Sequence, residues 1–104
     1  MKIIKKLVKM IDEELGDAKK YAECALREKE ENPTLANLFY TLSLEEMKHM
    51  NILHGEAVKM IEDNKAKHGE PPAAMQAIYD WEHEKQIEES KEIKILQNHY
   101  REHS

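Results

Sequence analysis

At 104 residues the chain has room for one domain, spanning residues 1–104, with a high ratio of surface to volume that association would relieve. Its residues are 36% charged and 40% hydrophobic with only 3 Gly and 3 Pro, a composition of long helices and an all-α fold. A formal net charge of -5 argues against a general phosphate-backbone binder, and no apolar run approaches the ~20 residues that span a bilayer, so neither nucleic acid nor membrane is an expected partner.

The first segment, from about residue 2 to 31, holds no proline and reads as one amphipathic helix with Ile4, Leu7, Val8, Ile11, Leu15, Ala18, Tyr21, Ala22, Ala25 and Leu26 on its apolar stripe. Lys2, Lys5, Lys6 and Lys9 interrupt every would-be signal-peptide core and project opposite that stripe. A membrane-surface helix is the sharper reading of them. A solvated face is the better one, because the stripe runs on past Leu15 without basic company. Cys24 is the single cysteine and falls off the stripe, so no internal disulfide can form and a reducing, cytoplasmic setting is expected. Glu14 intrudes on the stripe. Taken alone, such a glutamate is ordinarily snorkelling or salt-bridged.

The break at Glu31-Asn32-Pro33-Thr34 gives an N-cap and a proline at the first helical position, hence a tight helix hairpin. The second helix should run from about residue 33 to 67, roughly 50 Å at 1.5 Å per residue. Its stripe is Leu35, Phe39, Leu42, Leu53, Ala57 and Met60, with Glu46 near the centre and His49 at the edge. A second flank, Tyr40, Leu44, Met47, Val58 and Ile61, calls for more than one neighbour, a second subunit included.

Glu46 and His49 stand three residues apart and so project to one side, which is a metal-ligand spacing. With 21 acidic residues and 6 histidines, chance supplies roughly one such pair. Hairpin geometry adds what spacing cannot: counted from Asn32, Glu14 on the first helix falls within about one turn of the height of Glu46 and His49. Three in-face polar residues therefore converge. A carboxylate there must be neutralised, paired or bound to a cation.

The second break, His68-Gly69-Glu70-Pro71-Pro72, precedes a third helix from about residue 72 to 100. Ala74, Ala77, Ile78 and Trp81 share one side of it; further on, Ile95 and Leu96 resume a stripe that Glu88, Glu92 and His99 share. Such a charged helix is usually a solvated or partner-covered face. The sharper reading folds it back on the second helix, bringing Glu92 to the level of Glu46 with Glu88 a turn away. Asp80 and His83 repeat the acid-x-x-His spacing as a weaker candidate, projecting away from the Ile78 and Trp81 side.

The segment from Glu14 to Tyr21, with the run from Asn32 to His49, resembles the first two helices of rubrerythrins and other ferritin-like di-iron carboxylate proteins, over roughly the first 60 residues. The resemblance implies Glu14 as a terminal iron ligand, Glu46 as a bridging carboxylate, His49 as a terminal imidazole, and Tyr21 as an aromatic near the site. It also implies an oxidoreductase, with iron or manganese as the metal and oxygen or peroxide as substrate. The chain departs from the family in having three helices rather than four and no second Glu-x-x-His. A connection of under ten residues at ~3.3 Å each cannot retrace a ~50 Å helix, so the family's crossover is missing. The expectation is half a di-iron site on a ferritin-like half bundle, completed in a homodimer or higher even oligomer. The contrasting reading is a metal-free oligomerisation or adaptor module in which Glu14, Glu46 and His49 form a hydrogen-bond network.

Overall fold

The structure, a computed structural model, describes residues 2–102. It is all-helical, with α1 (Lys2–Glu28), α2 (Pro33–His68) and α3 (Ala73–Glu102) in a rod of 55 × 18 × 18 Å. The boundaries fall close to those expected; α1 stops a little early, where the backbone N–H of Asn32 donates to the Glu28 carbonyl. Asn32 caps α2 through its own carbonyl, which accepts from Ala36, while its side chain donates instead to Glu28 Oε2 at 3.0 Å. At the other end Gly69 takes a φ of 77°, a left-handed conformation that glycine adopts without strain, and its N–H closes the helix on Lys65 O.

Helix α1 is the spine. Its buried residues Ile4, Leu7, Ile11, Leu15, Ala18, Ala22 and Ala25 follow steps of three and four along one face, as the sequence pattern requires. Helix α2 runs antiparallel to it, and α3 returns parallel to α1, so that α3 lies mainly against α1 and touches α2 at few points. Leu7, Ile11, Leu15, Ala18, Met47, Met50, Ala57 and Ile93 form the main core. A smaller cluster of Ala25, Ala36 and Tyr100 closes the hairpin end, where the Tyr40 and Tyr100 rings meet at 4.8 Å.

The inward face of α2 coincides with neither expected line but lies between them: Ala57 of the stripe is buried and Phe39, Leu53 and Met60 pack half-buried on the core, while Leu44 and Val58 of the second flank are exposed. Ala36, Ser43, Met47, Met50 and Ala57 face inward, whereas Leu35 on the expected stripe is 39% exposed. The alanines of α1 let the backbones approach closely, and Ser43 Oγ donates to Ala18 O at 2.7 Å across the seam. A leucine line in the same place would hold the helices apart. The rotation moves Glu46 from the centre of the buried face to its shoulder.

Helix α3 also presents an unexpected face. Ile78, Trp81 and Ile95 are exposed, and Gln86, Ile93, Gln97 and Tyr100 point inward. The two glutamines are tolerated because they are hydrogen-bonded. Gln97 Nε2 donates to Ser43 Oγ at 2.9 Å, and Gln86 Nε2 donates to Asp12 Oδ1 at 3.1 Å.

Candidate metal centre

Glu14 comes from α1, and Glu46 and His49 from successive turns of α2. The antiparallel register set by the short hairpin places them at one height, as the counting from Asn32 predicts. Each offers a ligand atom within 4.8 Å of the others, and they are the one such group of three among the described residues. His49 Nδ1 stands 3.6 Å from Glu14 Oε2 and 3.8 Å from Glu46 Oε1.

Glu46 is 19% exposed at its side chain, Glu14 26% and His49 56%, so the carboxylates are the more covered groups and the imidazole the more exposed one. The electrostatics follow from that burial. Glu46 is pushed up to about 7, chiefly by the hydrogen bond its protonated form donates to Glu14, then by burial and by the Glu14 charge; His49 opposes the rise. Glu14 Oε2 is buried and, with both carboxylates ionised, accepts no hydrogen bond among the described residues. Only the Glu46 proton, a protonated His49 or a bound cation can neutralise it.

The distances suit a metal. Neighbouring ligands on an ion at ~2.1 Å stand about 3 Å apart and opposite ligands about 4.2 Å, and both measured separations fall between these limits. Two carboxylates with one imidazole match the preference of iron and manganese better than that of a thiophilic metal.

Tyr21 lies two turns beyond Glu14 on the same flank of α1 and stacks on Phe39 with ring centroids 6.2 Å apart. The third-helix candidates do not join the cluster. Glu92 accepts a 3.1 Å hydrogen bond from Lys19 on α1, and the exposed Glu88 pairs with Lys91 on its own helix. Both stay away because α3 docks on the far side of α1: Lys19, five residues after Glu14, lies about 140° around the helix from it. Asp80 accepts from Gln76 at 2.8 Å, while His83 faces His54 on α2 rather than a carboxylate. His99 is exposed and outside the cluster.

Sequence reasoning missed Ser43, Gln86, Gln97 and His54. None carries a periodic signal, since a buried serine or glutamine reads as a break in an apolar pattern. The chain matches no family model, no curated protein and no solved structure. No helix among the described residues is long and apolar enough to cross a membrane.

Proposed function

We propose that this chain is a ferritin-like metal-binding protein whose Glu14, Glu46 and His49 form half of a di-iron centre, completed by a second copy. The observation that carries this reading is the convergence of two carboxylates and an imidazole from two helices, with Glu14 Oε2 buried and, when both carboxylates are ionised, without a hydrogen-bond donor among the described residues. An uncompensated buried charge costs several kcal/mol or titrates away, and a divalent cation removes the cost.

Three donors do not fill a coordination shell, and α3 leaves this side of the hairpin open. Apolar side chains border the cluster alongside the exposed Asp17: Met10 a turn before Glu14, Leu42 and Leu53 a turn to either side of the Glu46–His49 pair, and Ile52 just beyond His49 with 71% exposure. A second copy laid over this face would cover those side chains and bring four carboxylates and two histidines together, the donor set of a di-iron bundle core. Iron held there would supply oxidation chemistry of the ferroxidase or peroxide-reducing kind, with oxygen or peroxide as co-substrate. Glu14 and Glu46 would hold the metal and give up their shared proton on binding, His49 would supply the neutral nitrogen ligand, and the apolar rim would exclude water.

The test is metal content after iron supplementation, measured with the oligomeric state. The expected result is one iron per chain in an even oligomer, lost in Glu46→Ala and His49→Ala. Undiminished iron in both variants would sink the site.

A second reading has its own support: a protonated His49 beside a Glu46–Glu14 pair sharing one proton is neutralised without metal. The chain would then act as a helical oligomerisation or adaptor module. Wild-type protein that assembles but takes up no iron or manganese would favour it.

A further inference from the structure

Further along α2, about 80° around the helix from Glu46 and about 140° from His49, His54 meets His83 of α3. Their Nε2 atoms are 3.4 Å apart, and the rings lie within 18° of parallel with centroids at 5.3 Å, so the two nitrogens tip toward each other. As a hydrogen bond between two imidazoles this contact is long, beyond the usual 2.7–3.2 Å. Two nitrogens bound tetrahedrally at 2.0–2.1 Å to one ion stand about 3.3–3.4 Å apart. The separation therefore also fits two ligands on one metal.

The surroundings agree. The histidines line a cavity of about 190 Å³ that also receives Asp80, Gln76 and Glu82. Gln76 Oε1 and Glu82 Oε2 are buried there with no hydrogen-bond donor among the described residues, Lys85 Nζ standing 3.8 Å from the latter. The cavity thus combines two convergent nitrogens with oxygen acceptors that lack partners. Such a lining favours a cation, and imidazole nitrogens select a borderline transition metal rather than calcium or magnesium.

We infer that His54 and His83 bind a divalent transition-metal ion, of the zinc, nickel or copper class, that clasps the first half of α3 to α2. Water completes its shell, since Asp80 and Glu82 form no three-ligand group with the two histidines. The site is separate from the Glu14–Glu46–His49 cluster and does not depend on a second copy. Its consequence is structural: the first half of α3, whose Ile78 and Trp81 lie on the surface, gains its tie to α2 from the ion.

The experiment titrates Zn(II) into the Glu46→Ala/His49→Ala chain by calorimetry, and follows the histidine ring signals of the wild-type chain by NMR. The expected result is one equivalent bound, with the His54 and His83 signals shifting together. His54→Gln and His83→Gln, which keep a polar side chain of similar reach, should each weaken binding about 10- to 100-fold. Zn(II) that leaves both ring signals unmoved, or binds equally well to both glutamine variants, overturns the clasp; the first outcome would mark the pair as two imidazoles in simple contact.

Discussion

The two seams that α1 makes differ in kind. Against α2 it packs Leu7, Ile11, Leu15 and Ala18 on Met47, Met50 and Ala57, an apolar interface with Ser43 as the one fully buried polar side chain among the described residues. Against α3 it relies on Ile93 and then on polar links: Gln86 to Asp12, Lys19 to Glu92, and Lys29 Nζ to the Tyr100 carbonyl at 3.1 Å. Stability resides in the first seam. The second holds α3 in register at low cost per contact, so α3 can loosen without the hairpin coming apart. The candidate metal centre belongs to the hairpin alone and would keep its geometry when α3 moves.

Cutting each seam should expose this difference. Leu15→Ala removes a fully buried side chain from the α1–α2 core and should cost about 3–5 kcal/mol, read as a lower denaturant midpoint for the whole chain. Gln86→Ala removes the α3 side chain that donates to Asp12 on α1, and should cost about 1–2 kcal/mol with faster amide exchange in the middle of α3. If the two variants lose equal stability, the seams are not unequal.

The pH dependence sharpens the comparison from the hairpin side. Glu46 titrates near 7 in the folded chain against an ordinary value of 4.5, so between these values the folded state holds a proton that the unfolded chain has released. Stability of the metal-free protein should therefore be highest below about pH 4.5 as far as this group is concerned, fall as pH rises to about 7, and level off above. After solvent screening at this partly exposed pair the loss should be on the order of 1 kcal/mol. Glu46→Gln should abolish that slope in urea melts between pH 5 and 8; an unchanged slope would remove Glu46 as its source. The smallest effect belongs to Lys19→Ala, whose partner Glu92 is 59% exposed, and which should leave the thermal midpoint within measurement error.

The hairpin was legible because its determinants are local. The alternation of apolar residues on α1 survives intact from Ile4 to Ala25, and Asn32-Pro33 sets the register that aligns Glu14 with Glu46 and His49. Which part of the broad apolar surface of α2 turns inward was not legible, because the answer, a face between the two expected lines, rested on how closely Ala18 and Ser43 could approach. Helix α3 was the least readable. Its inward positions 86 and 97 are glutamines whose partners lie more than fifty residues away, while its most hydrophobic residues, Ile78 and Trp81, face outward. The pairing of His54 with His83 depends on that docking and so could not be read from spacing.

The parallel course of α1 and α3 has an electrical consequence. Two helices point one way and one the other, so the rod retains roughly one uncancelled helix dipole, about half a unit charge at each end of its 55 Å length. A second copy lying alongside in the same direction would double that dipole, and one lying head to tail would cancel it. The energy is small and screened by salt. At low ionic strength it nevertheless favours the head-to-tail pair, whose twofold axis crosses the rods, and that sense of assembly should weaken first as salt is added.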